Sequence, residues 1–158
     1  MTASLAPAGD THRRFHVDRT TPANGEVFVF GSNLAGRHGK GAAELARKRY
    51  GAVPGRGVGR MGHCYGIPTK NDAPRPEPLL TLPLDVIARH VDDFLAHAKA
   101  TPGVSYFVTR VGCGLADYQD DQIAPMFAGA PSNCSFAQEW RPYLDAPAPR
   151  RTPRKRLP

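Results

Sequence analysis

Glu26-Val-Phe-Val-Phe30, Gly31-Ser-Asn-Leu-Ala-Gly36-Arg-His-Gly39-Lys-Gly41 and Ala42-Ala-Glu-Leu-Ala-Arg-Lys-Arg-Tyr50 follow one another without a break. The first segment is a short apolar run closed by Gly31, the pattern of a buried strand. The second is rich in glycine. The third is built from good helix formers, with Ala42, Leu45, Ala46 and Arg49 at helical spacing. Strand, glycine loop and helix in that order form half of a βαβ unit, so the fold is expected to be α/β.

The flanking sequence extends the alternation. Residues 51–62 interleave glycine with other residues and are expected as a loop, and His63-Cys-Tyr-Gly-Ile67 as a second strand stopped by Pro68. Residues 71–83 are proline-rich and read as an excursion over the surface. From Leu84 the apolar positions Leu84, Ile87, Ala88, Val91, Phe94, Leu95 and Ala98 define an amphipathic helix that Pro102-Gly103 ends. Ser105-Tyr-Phe-Val-Thr-Arg-Val111 is the strongest strand signal, and it too runs into a glycine turn, Gly112-Cys-Gly114. Gln119 to about Phe127 reads as helix and Asn133-Cys-Ser-Phe136 as a last strand, after which the pattern fades. His90 and His97 fall on the polar side of their helix and are expected in solvent. Asp92, Asp93, Asp120 and Asp121 read as surface charge.

Composition bounds what such a chain does. With 158 residues, 41% hydrophobic and 22% charged, it is long enough for one domain with its own core, and wholesale disorder is excluded. No apolar run reaches the ~18–20 residues of a membrane span. No signal-type segment opens the chain, so a cytoplasmic protein is expected. Three cysteines without paired spacing do not make a disulfide framework. The formal charge of +7 comes mostly from Arg150, Arg151, Arg154, Lys155 and Arg156. Residues 146–158 are therefore expected as a basic tail, either drawn to nucleic-acid phosphates or merely solubilising. Residues 1–20 are expected as a loose leader and residues 21–145 as the folded domain.

Two glycine loops at strand ends are the candidate site. Glycines between strand and helix let a backbone approach a ligand and offer amide N–H groups to an anion at a helix N-terminus. A phosphate cradle and an ordinary tight turn both fit Gly31–Gly41 taken alone. It is not a Walker A loop, since Gly41 follows Lys40 where Ser or Thr is required and Leu34 stands where the first glycine belongs. Gly57-Val-Gly59-Arg-Met-Gly62 matches GxGxxG but precedes a strand, so it is not a dinucleotide fingerprint. Gly112-Cys-Gly114-Leu115 repeats the strand-end arrangement, and two such cradles suit a diphosphate. Ile67-Pro-Thr69-Lys70 ends a strand at the same edge, where Lys70 is either solvated or a phosphate ligand or amine. Asp117 lies just past the second loop. His38, His63, Cys64 and Cys113 lack metal-ligand spacing, so no metal and no cofactor are expected. Cys113 is expected as a packed thiol more than a nucleophile.

Taken in order, Gly39-Lys-Gly-Ala-Ala43, Ile67-Pro-Thr-Lys70 and Val111-Gly-Cys-Gly-Leu115 resemble a macrodomain over residues 26–144. With Phe30-Gly-Ser-Asn-Leu-Ala-Gly-Arg-His-Gly39 they also resemble short macro-like proteins of phages and bacteria. The resemblance implies a three-layer αβα sandwich with a mixed central sheet, holding ADP-ribose or a related nucleotide. It implies ligand contacts from Gly31, Ser32, Asn33, Gly36, His38, Gly39, Lys40, Gly41, Thr69, Gly112, Cys113, Gly114 and Leu115, with Asn33 near the distal ribose. Ile67-Pro-Thr-Lys70 resembles the branch that removes ADP-ribose from DNA bases or carboxylate side chains. There a lysine acts on the ribose C1″ with help from an acid after the second loop. Lys70 matches that lysine. Ala116 stands at the acid's position and Asp117 one residue later. Hydrolysis of an ADP-ribosyl linkage on DNA or protein and non-catalytic capture of an NAD-derived nucleotide are both expectations of this pattern. Nucleic-acid binding through the tail is a third.

Overall fold

Val27, Phe28, Val29 and Phe30 are each at most 2% exposed, because the strand they form is covered on both faces. In the computed structural model, which describes residues 13–144, this strand is β2 (Val27–Asn33). Val27 and Val29 pack into a cluster with Ile87, Val91 and Phe94 on one face. Phe28 and Phe30 pack with Ala43 and Ala46 on the other. Alternate side chains of a strand leave on opposite faces, so an unbroken apolar run builds two cores at once.

The first core lies under α2 (Leu84–Ala100), the second under α1 (Gly41–Leu45), which continues as a π-helical turn, Ala46–Tyr50. The remaining strands are β1 (Arg14–His16), β3 (Gly59–Met61), β4 (Cys64–Lys70), β5 (Tyr106–Val108) and β6 (Cys134–Ala137). They form one sheet in the order β1-β6-β5-β2-β4-β3. All neighbours are parallel except the edge pair β3–β4, so the sheet is mixed. With helices on both faces the result is a three-layer α/β sandwich. On the α2 side, α3 (Asp120–Ile123), a 3₁₀ turn at Ala124–Phe127 and α4 (Arg141–Leu144) complete the layer.

Several sequence expectations are corrected. Pro68 does not end its strand, because β4 runs to Lys70 with Pro68 opposite Ser32. β3 pairs only as far as Gly66, so Pro68 has a strand neighbour on one side alone, where a missing N–H is tolerated. The expected loop 51–62 contains β3. Part of the expected leader is β1, parallel to β6 and held by His16, whose ring stacks on Phe107 at 3.7 Å and whose Nδ1 lies 2.7 Å from Ser135 Oγ. The strand expected over 105–111 is only three residues long. From β6 to Leu144 the chain stays folded, with Trp140 fully buried. His97 is half-buried rather than fully in solvent, its ring packed on Tyr65 and Tyr106 at 5.1 and 5.9 Å. The basic tail, with Arg150, Arg151, Arg154, Lys155 and Arg156, lies outside the described residues, as do residues 1–12.

Candidate functional site

Because β2, β4 and β5 run parallel, their carboxyl ends share one edge of the sheet. The chain leaving β2 enters α1 on one face, while the chain leaving β5 turns toward α3 on the other. Connections that diverge in this way open a crevice between them. Here the crevice is a cavity of about 900 Å³. Its floor is close-packed at Gly31, where an added Cβ would lie 3.4 Å from the Gly112 nitrogen and 3.6 Å from Thr69 Cγ2. Gly39–Ala43 forms one wall and Val111–Ala116 the other. The walls approach each other where a Cβ on Gly41 would meet Leu115 Cδ1 at 3.6 Å.

Both walls present backbone donors. The first N–H groups of a helix have no carbonyl one turn back, and Lys40 at the N-cap supplies no side-chain bond to them. In the other loop Cys113 N–H donates to Arg110 O, Asp117 N–H to Gly114 O and Tyr118 N–H to Gly112 O, at 2.9–3.1 Å. These bonds shape the turn and leave the N–H groups of Gly112, Gly114 and Leu115 without a partner among the described residues.

The two ends of the cavity differ. The end beyond β5 is lined by Asp18, Arg19, Thr20 and Arg110, with Phe28 and Phe107 at its base. Arg110 donates through Nε and Nη2 to Asp120 at 2.9 and 2.7 Å, and through Nη1 to Asp18 at 3.3 Å. Those hydrogen bonds hold its guanidinium firmly protonated. Burial works to raise the Asp120 pKa, but hydrogen bonds from Arg110 and Trp140 outweigh it and leave the carboxyl below its ordinary value. Asp120 is thus an internal ion-pair partner rather than surface charge. Burial, reinforced by the charge of Asp120, pushes the Cys113 thiol up to about 12, so it stays protonated at neutral pH. The end beyond β4 is lined by Arg37, Lys70, Arg75 and Leu79.

Of the residues expected at the site, Gly31, Ser32, Asn33, Gly39, Lys40, Gly41, Thr69, Lys70, Gly112, Cys113, Gly114 and Leu115 line this cavity. Asn33 also clamps its own turn: its Oδ1 accepts the Arg37 N–H at 2.7 Å and its Nδ2 donates to Arg37 O at 2.6 Å. That clamp closes the turn. Ser32 Oγ donates to Gly57 O. Gly36 and His38 are outside the walls. His38 is 4% exposed, and its Nε2 lies 2.8 Å from Arg56 O and 3.0 Å from Val53 O. Both partners are carbonyls, so Nε2 carries the hydrogen and the ring fastens the loop from behind.

Asp117 does not line the cavity. Its backbone is left-handed (φ +69°) and its side chain is exposed outside the walls, while Ala116 faces the cavity. Asp18 is the one acid on the walls among the described residues, at the far end and tied to Arg110. Sequence reasoning missed Asp18, Arg19, Thr20, Arg37, Arg75 and Arg110. Arg37 and Arg110 are adjacent to the glycine motifs and were within reach of it. Asp18, Arg19, Thr20 and Arg75 carry no local signal. Among the described residues no group of three His, Cys, Asp or Glu is placed to hold a metal, and no helix is long and apolar enough to cross a membrane.

No family model matches this chain, and no curated protein matches it. Among solved structures it is similar to alphavirus P23pro-zbd, with a TM-score of 0.55 and 14% identity. The match covers 85% of this chain and 23% of that one, so the present chain spans about a quarter of its length. Likeness at this identity is a likeness of fold, and the fold is a macro-like α/β sandwich.

Proposed function

We propose that this protein binds ADP-ribose or a closely related nucleotide in the cavity at the carboxyl edge of its sheet. The observation that carries the reading is the pair of glycine walls, Gly39–Ala43 and Gly112–Leu115, whose unpartnered N–H groups border one 900 Å³ space. Backbone donors with Lys40 beside them suit a diphosphate. At the β5 end Asp18 offers an acceptor for a base's exocyclic amine or for a ribose hydroxyl.

Capture is the reading the geometry favours over hydrolysis. In the hydrolytic version Lys70 acts on the distal ribose C1″, and a carboxylate must accompany it. Asp117 is exposed outside the walls and Asp18 stands at the opposite end tied to Arg110, so no carboxylate lines the cavity at the Lys70 end among the described residues.

Titration calorimetry with ADP-ribose, AMP and NAD tests the proposal. ADP-ribose is expected to bind in the micromolar range, about −8 kcal/mol, with AMP at least tenfold weaker. Silence from all three ligands overturns it. Release of ADP-ribose from modified DNA or protein, lost in Lys70→Ala while binding stays within a few-fold, would establish the hydrolytic version instead.

A further inference from the structure

The charges on the cavity wall exceed what a diphosphate requires. Six cations line it, Arg19, Arg37, Lys40, Lys70, Arg75 and Arg110, against the single carboxylate of Asp18. Arg110 is already matched by Asp18 and Asp120. Lys40 and Arg19, with the two glycine walls, suffice for the two charges of a diphosphate. Arg37, Lys70 and Arg75 remain, and all three are at the β4 end.

Their placement is built, not incidental. Arg37 is anchored through its backbone by Asn33, and its Nη2 donates to Ala73 O at 2.7 Å, two residues before Arg75. The rest of its guanidinium fork is left for a ligand. Lys70 ends β4 at the register shift opposite Asn33. Neither Lys70 nor Arg75 has an ion-pair partner among the described residues. Asp72 and Glu77, in the same segment, are exposed and lie outside the cavity walls. A neutral ribose at this end would leave these three lining cations without a counter-charge from the ligand. A phosphoryl group, with about −1.5 to −2 at neutral pH and three acceptor oxygens, matches them.

We infer that the ligand is a nucleotide whose diphosphate is extended by a further phosphoryl group, received by Arg37, Lys70 and Arg75. This deepens the nucleotide reading above and rests on it.

The full chain is titrated with ADP, ATP and ADP-ribose, without divalent cations, at 50 and 200 mM salt. ATP is expected to bind at least tenfold tighter than ADP, with the margin narrowing at the higher salt. Arg75→Gln reduces the ATP-to-ADP ratio to less than threefold. Arg89→Gln, on the exposed side of α2, leaves that ratio unchanged. An ATP-to-ADP ratio near one, or a ratio indifferent to Arg75→Gln in a variant of unchanged Tm, overturns the inference. If ADP-ribose binds and ATP gains nothing over ADP, this inference alone fails. If none of the three binds, the nucleotide reading fails with it.

Discussion

Arg110 meets Asp120 through two nitrogens, Nε at 2.9 Å and Nη2 at 2.7 Å, while the same carboxylate accepts Trp140 Nε1 at 2.7 Å. The contact joins the loop after β5, the start of α3 and the buried Trp140 near the end of the described chain. It also fixes the guanidinium that borders the cavity, so stability and site geometry depend on one carboxylate.

Asp120→Asn keeps the shape and removes the charge. The half-buried guanidinium then has only Asp18, and about 2 kcal/mol of stability is expected to be lost. Thermal unfolding followed by circular dichroism should show a Tm lower by roughly 4–8 °C. An unchanged Tm would sink the claim. Because the Asp120 pKa is depressed in the fold, its contribution is complete above the unfolded value of 3.8 and is lost as pH falls through the lower folded value.

Two histidines give a second pH dependence nearer neutrality. Burial lowers the pKa of His16, against the opposing charges of Glu26 and Asp18. Burial also lowers that of His97, aided by Arg60, and its Nε2 is buried without a partner. The unfolded chain therefore takes up protons more readily than the fold. Stability from these groups is complete above the unfolded pKa of 6.5 and declines as pH drops below it. Tm measured from pH 8 to 5 should fall at the acid end, and His97→Phe should flatten the slope.

Gly36 and Gly39 belong to one loop and are expected to fail differently. A Cβ on Gly36, which has φ +69°, would lie 2.3 Å from the Arg56 nitrogen. Gly36→Ala should therefore cost more than about 3 kcal/mol. At Gly39 nothing lies within 4 Å, so Gly39→Ala should fold with a Tm near that of the parent. Its methyl group enters the wall of the cavity, and ADP-ribose affinity should drop about tenfold. Urea melts and calorimetry on both variants separate the two effects, and equal outcomes would contradict them.

Cys113 lines the cavity with a thiol pushed up to about 12. At pH 7.5 it should react with iodoacetamide far more slowly than an unperturbed cysteine, because the thiolate is the nucleophile. Cys113→Ser should retain ligand binding. Rapid alkylation of this position at pH 7.5 would count against the burial described here.

The legible part of the fold was its centre. Val27–Phe30 and the 84–98 stripe are long periodic signals buried by packing on one or two faces, and they survive as β2 and α2. β1 and β3 were invisible because three residues carry no period, and each exists only by pairing with a strand distant in sequence. Pro68 misled for a related reason: its effect depends on how many neighbours a strand has. At the site, the glycine loops were readable because each follows its strand directly. That Asn33 also clamps its own turn was not legible, because a turn clamp and a ligand contact look alike in sequence.

Alone, the order of residues determined an α/β alternation and two glycine turns at strand ends, since local backbone freedom and apolar period are written in neighbouring positions. Tertiary structure decided which turns face each other and what stands between them. Strand order brought Asp18 and Arg19 from before β2 to one end of the cavity and Arg75 to the other. A single left-handed residue turned Asp117 out to solvent and left Ala116 inside. Such outcomes depend on long-range register and on the sign of one φ angle, and neither is carried by residue type at a single position.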